Sequence, residues 1–190
     1  MSVKKMTILT FIVFIALTIS CSKNNEKESS FPAETQQGKN TLGCYVDGNP
    51  FYSATNLFGL VNPINVYYYK DSFPFIYSAG YLSVQGIDAR YDLAIAGNIV
   101  IHKKNIFAVG EYPLVSQSVV FCNQNRSCDY TGYYNSKSGK SYSAESGKLI
   151  LTKLDTVNKI VSGRFYFTAK DSLGNKIQVT NGRFDAKYPN

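Results

Sequence analysis

Four cysteines and a single histidine are the only soft or near-neutral reactive side chains in this 190-residue chain. A structural zinc site takes about four Cys or His ligands at close spacing. No Cys-x-x-Cys occurs and His102 stands alone, so no metal centre is expected. Cys122 and Cys128 flank Asn-Gln-Asn-Arg-Ser. A disulfide can close that short polar loop if the alpha carbons come within about 7 Å. Cys44 lies in the apolar run Leu42 to Val46, where a lone cysteine is expected to be a small core residue. Cys21 follows directly on an apolar stretch, and its chemistry is of another kind.

Catalytic groups are harder to assemble. A nucleophilic triad needs three side chains brought into contact. His102 is followed by Lys103 and Lys104, which reads as a solvated loop at a strand end. Neither Gly-x-Ser-x-Gly nor His-Glu-x-x-His occurs. Hydrolysis by two carboxylates is the other route. Asp88, Asp92, Glu111, Asp129 and Glu145 are the candidates, and spacing alone sets no two of them opposite each other. Gly139-Lys140-Ser141 lacks the glycine spacing and helix of a phosphate loop and reads as a hairpin tip. No calcium-type Asp-x-Asp-x-Asp run is present. The expectation is a non-enzyme without cofactor or metal. A glycan or peptide hydrolase using a carboxylate pair is the alternative.

Aromatics offer binding rather than catalysis. The chain has 15 Tyr and 12 Phe and no Trp. In Tyr67-Tyr68-Tyr69, alternation puts Tyr67 and Tyr69 outward together if Tyr68 points in. Such a pair could stack on sugar rings or anchor a protein. Tyr133-Tyr134 offers a similar arrangement. The net charge is +7, scattered along the chain, and residues 1–20 supply two of the lysines and no acid. Nucleic-acid binders cluster their charge, so no nucleic acid is expected.

The elements that must position these residues are short strands. Asp47-Gly48 between Leu42–Val46 and Phe51-Tyr52 predicts a tight hairpin. Ile64–Tyr69, Phe75–Val84 and Tyr91–Ile101 read as strands. Gly110–Leu114 reads as a turn into an edge strand, because Pro113 cannot donate to a central ladder. Lys148–Leu154, Lys159–Ala169 and Lys176–Tyr188 form a C-terminal three-strand meander. Its turns are Asp155–Asn158 and Asp171–Gly174, with a bulge at Asn181-Gly182. Phe165 and Phe167 share one face, with Arg164 and Tyr166 opposite. The fold class is all-β: an antiparallel β-sandwich, with a β-barrel as alternative. A barrel would admit a third function, a small lipid carrier.

The N-terminus reads as an address. Lys4 and Lys5 precede an apolar run from Met6 to Ile19, too short to span a bilayer comfortably. Leu17-Thr18-Ile19-Ser20-Cys21 resembles a lipobox, with Thr18 where leucine is commonest. Looser boxes of this kind resemble those of Bacteroidota lipoproteins. The resemblance implies a signal peptide over 1–20, cleavage before Cys21, and a diacylglycerol thioether on its sulfur. Acylation of the new amine, by a palmitate-like chain, completes an anchor that one chain could not provide. Residues 21–40 are polar and predict a flexible tether, leaving 41–190 as a single β-rich domain. The expected address is the outer membrane of the cell envelope, on either face, with the membrane as partner through Cys21 and a glycan or protein as ligand.

Three blocks carry a family resemblance: Thr41–Gly48, Leu151–Asp155 with Ser162–Phe167, and Gly182–Asp185. They look like a group of Bacteroidota lipoproteins sharing a domain of unknown function, DUF6252. The resemblance implies an exported, β-rich lipoprotein and no activity. Asp155-Thr156-Val157 and Asp171-Ser172-Leu173 also resemble the Asp-Ser/Thr-apolar pattern of Bacteroidota O-glycosylation, which would modify Thr156 or Ser172.

Overall fold

A computed structural model describes residues 31–54, 62–71, 79–89, 97–117 and 128–189. Cys21, the expected signal peptide, the first part of the tether, Asp92 and Cys122 lie outside the described residues. Those described form ten strands and no helix. They are β1 (Thr41–Val46), β2 (Asn49–Tyr52), β3 (Ile64–Tyr69), β4 (Tyr81–Asp88) and β5 (Gly97–Lys103). The rest are β6 (Gly110–Pro113), β7 (Tyr130–Asn135), β8 (Lys140–Asp155), β9 (Ile160–Lys170) and β10 (Lys176–Lys187).

All the strand pairings are antiparallel, and they run through one sheet in the order β2-β1-β10-β9-β8-β7-β5-β4-β3. β6 pairs with β8 off that path, the edge position its proline requires. The all-β antiparallel expectation holds in the form of its barrel alternative: one continuous sheet curls into a half-barrel. The bend has a local cause. β8 is 16 residues long and its register with β9 shifts at Ala144/Ser146 and again at Leu151/Lys153. Bulges increase local twist and bend a strand. The inward set on β8 accordingly changes from Tyr142 and Ala144 to Leu149 and Leu151. The expected bulge in β10 does the same, moving the buried set from Ile177 and Val179 to Phe184 and Ala186.

The curl is stitched at one end. β3 begins at Ile64, opposite Gly86, so the last residues of β4 have no β3 partner. Ala54, just past β2, takes that place, donating to the Ile87 carbonyl and accepting from the Ala89 N–H. Inside, β1 meets β4 face to face. A Cβ on Gly86 would lie 2.8 Å from a Leu42 methyl, so only glycine admits the fully buried leucine. Leu42, Cys44, Leu82, Val84, Ile99, Ile101, Phe165 and Phe167 fill the core.

Local predictions fared well. Asp47 and Gly48 have φ of 48° and 77°, and Val46 pairs with Asn49. Two positive-φ residues make this the mirror-image turn that suits strand twist. In β9, Phe165 and Phe167 are buried while Arg164 and Tyr166 are exposed.

Part of the expected tether, residues 31–40, lies within the described residues. Residues 31–40 do not hang free but lie on the sheet. Asp185 on β10 is 1% exposed and gathers them. Its carboxylate accepts the Thr35 hydroxyl, the N–H groups of Gln37 (3.0 Å), Gly38 (2.8 Å) and Lys39 (3.1 Å), and the Ser162 hydroxyl (2.7 Å). Phe31 stacks on Tyr45 at 4.9 Å between ring centroids. Glu34 meets Arg164 through two bonds, at 2.8 and 2.7 Å. The segment is held by polar bonds and one ring, which an apolar count does not register.

Candidate functional site

Segments from the first hairpin to the last strand meet at one end of the half-barrel. The β1–β2 turn brings Asp47 and Phe51, β4 ends in Asp88, β7 brings Tyr133 and Asn135, and β8 brings Tyr142. Together they line a cup of about 300 Å³. Its wall is aromatic. Phe51 meets Tyr133 edge to face at 6.3 Å, and Tyr133 stacks with Tyr142 at 6.2 Å. No lysine or arginine lines it among the described residues.

The tyrosine hydroxyls matter most. Both rings pack on the core, yet neither hydroxyl has a hydrogen-bond partner among the described residues, and neither is an orphan shut away from water. Both tyrosines line the cup. Burial pushes the Tyr133 phenol up, and Cys44, Asp88, Tyr142 and Asp47 add to the effect, so it remains a neutral donor. Asp47 accepts the Gln178 N–H at 2.8 Å, and Asn135 accepts the Ser138 N–H at 3.2 Å, which fixes both side chains at the rim. Cys44, beneath, is a free, fully buried thiol; burial first and Asp88 second push it up, so it stays protonated. Its expected role as a small core residue stands.

The residues singled out from sequence are scattered. Tyr68 does point inward, donating to the Ile106 carbonyl at 2.9 Å and meeting Tyr188. Tyr67 is 43% exposed, while Tyr69 is only partly so, and the expected pair is unevenly presented. His102 is not a loop residue. It lies in β5, half-buried between the rings of Tyr81 and Tyr130, and burial lowers its pKa. Glu111 pairs with Lys148, Asp129 with Lys103, and Glu145 with both Lys170 and Lys176. Among the described candidate carboxylates Asp88 alone lines the cup, and Asp47, which sequence reading assigned to a turn, joins it.

Cys128 is buried, and its expected partner Cys122 lies outside the described residues. Thr156 and Ser172 are exposed in their turns. The aspartate before each is in use: Asp155 accepts the N–H of Val157 and Asn158, and Asp171 that of Leu173 and Asn175. Those contacts explain the two aspartates as turn-formers. Among the described residues no three His, Cys, Asp or Glu side chains gather as a metal site, and no helix is long and apolar enough to cross a membrane.

Residues 70–186 match the family described as a domain of unknown function, DUF6252. The chain belongs to that family. The matched span holds β4 to β9 and most of β10, including Asp185, Tyr133 and Tyr142. The blocks Leu151–Asp155, Ser162–Phe167 and Gly182–Asp185 fall inside it, whereas Thr41–Gly48 lies before it. The chain matches no curated protein and no solved structure.

Proposed function

We propose that this is a lipid-anchored lipoprotein of the cell envelope, held in the outer membrane through Cys21, whose β-domain binds a glycan unit in the cup without catalysis. The observation that carries the binding role is the pair of unpartnered tyrosine hydroxyls over an acid-rimmed aromatic wall. A sugar offers both an apolar ring face and a ring of hydroxyls. Aromatic side chains suit the first, and carboxylates, amides and phenols suit the second. Anchoring rests on the lipobox-like stretch ending at Cys21. The Cys122–Cys128 bridge and sugar on Thr156 or Ser172 belong to the same exported address.

Two tests apply. Intact mass of the protein from its own cells, before and after reduction, reads the anchor directly. A species beginning at acylated Cys21 and gaining two mass units on reduction is expected; one beginning at Met1 sinks the lipoprotein reading. A glycan array probed with wild-type protein and with Tyr133→Phe/Tyr142→Phe reads the cup. Signals present in the wild type and lost in the double variant are expected; identical patterns, or none, count against the cup.

A second reading has one observation in its favour: Asp47 and Asp88 both line the cup, as a hydrolase using a carboxylate pair requires. Turnover of any captured glycan that stops in both Asp47→Asn and Asp88→Asn would replace binding with hydrolysis. The lipid-carrier reading has less support, because Leu42 fills the space between β1 and β4.

A further inference from the structure

The outer face of the sheet carries a second feature, away from the cup. Arg183 on β10 and Arg164 on β9 are register partners, so their side chains leave the same face side by side. Like charges directly opposite one another are unfavourable unless something answers them. Glu34 answers one of them with two parallel bonds to Arg164. Arg183 has no carboxylate among the described residues. Its guanidinium lies 4.1 Å over the Phe31 ring, and its Nε is shielded from water with no hydrogen-bond acceptor. A guanidinium has five N–H donors and no acceptor capacity. Stacking thus positions one of these forks, and no carboxylate among the described residues answers it.

The surroundings form a site rather than a flat surface. A groove of about 400 Å³ runs beside Arg183, bounded by Tyr45, Tyr166 and Ile150, with Asn181 and the Glu34–Arg164 pair also lining it. Asn181 sits in the β10 bulge at φ 51°, which interrupts the outer face there.

We propose that Arg183 and this groove bind a phosphate oxyanion. Planar N–H forks match phosphate geometry two bonds at a time, and stacking on an aromatic ring holds the fork in place beforehand. The second arginine adds charge while its own carboxylate keeps it oriented. A headgroup phosphate is the nearest supply if the chain is anchored as proposed. Phe31 is ten residues beyond Cys21, a reach of at most about 35 Å. That choice of source rests on the lipoprotein reading; the oxyanion site does not.

The test uses the full-length protein in neutral-detergent micelles, following arginine Nε–H resonances by NMR. Inorganic phosphate is titrated first. The Arg183 signal is expected to move saturably and further than the Arg164 signal, and in Arg183→Lys the phosphate affinity, read at the Arg164 Nε–H, should fall roughly tenfold. The Gly38 amide, held by Asp185, reports whether residues 31–40 remain docked in that variant. Phosphatidylglycerol or phosphatidylcholine is then doped into the micelles. Movement with phosphate and with phosphatidylglycerol supports the headgroup source. Movement with phosphate alone keeps the oxyanion site and removes the headgroup. An Arg183 signal that responds to neither, with Gly38 still docked, overturns the proposal. Because the intact-mass measurement reads the anchor separately, failure of the lipoprotein reading is told apart from failure of this site.

Discussion

The clasp at Asp185 and the cup at the barrel end use the same kinds of groups to opposite effect. At the clasp, five donors from residues 35–39 and Ser162 converge on one buried carboxylate, and nothing is left over for a ligand. At the cup, two phenols stand on packed rings with their hydroxyls unanswered among the described residues. A polar group whose bonding capacity is used internally is part of the scaffold. One held rigid by its ring, with its capacity open, is prepared for something else. Burial alone does not separate the two, since Asp185 and Tyr142 are both buried.

The clasp should therefore break hardest. Asp185→Ala leaves several donors unanswered and should cost about 3 kcal/mol, which lowers the melting temperature by roughly 10 °C. The pH dependence follows from its acidity. Burial acts to raise the Asp185 pKa, but the bonds from Thr35, Ser162, Lys39 and Gly38 outweigh it and hold it at about 2, below the ordinary 3.8. A depressed carboxyl contributes stability above its unfolded pKa and loses it as pH falls through the folded one. The clasp is complete above about pH 4 and is lost between there and pH 2, a contribution of about 2 kcal/mol. Denaturant melts of wild type and Asp185→Asn across that window read it. Parallel pH slopes in the two proteins would show that Asp185 is not the titrating group.

How much of this was legible in sequence depended on range. The Asp47-Gly48 hairpin, the Ile64–Tyr69 strand, the Phe165/Phe167 face and the Asn181-Gly182 bulge are written in neighbouring residues, by turn chemistry and a two-residue period. Inward and outward alternation is the same for a sandwich and a curled single sheet, so pattern could not choose between them. Lys140–Gly147 was missed as strand because its serines, glutamate and glycine mask the two inward residues, Tyr142 and Ala144. The clasp was invisible for a different reason: its acceptor lies some 150 residues from its donors. The segment it holds is polar and looks like a linker. Asp185 closes the Gly182–Asp185 block that resembles the family, and that resemblance is the clue the sequence carries to it. The cup brings together segments far apart in the chain, from the β1–β2 hairpin near residue 47 to β8 at Tyr142 and β10 at Ile177.

The cup should show the reverse behaviour of the clasp. Tyr133→Phe and Tyr142→Phe remove a hydroxyl that makes no bond to the protein, so stability should change by less than about 0.5 kcal/mol. Affinity for a captured glycan should fall roughly tenfold per hydroxyl, the worth of one well-placed hydrogen bond. Calorimetric melts and binding titrations on the same samples test both halves. A melting point that drops with the hydroxyl would place these phenols in the scaffold after all, and the contrast with Asp185 would dissolve.

The smallest effect tests where the clasp ends. Glu34 and Arg164 are well exposed, 39% and 58%, even though their two bonds are short. Exposed ion pairs yield at most about 1 kcal/mol, and salt screens them. Glu34→Gln should lower stability by no more than that, with the loss disappearing at high salt. The Asp185 bonds, being buried, should be nearly indifferent to salt. If residues 31–40 were held by charge, Glu34→Gln would free them and expose Thr35 to Lys39 to rapid amide exchange. If the buried carboxylate holds them, the Gln37, Gly38 and Lys39 amides stay protected in Glu34→Gln and lose protection in Asp185→Ala. Hydrogen exchange on the two variants separates these cases, because each amide that would report bonds directly to Asp185 and not to Glu34.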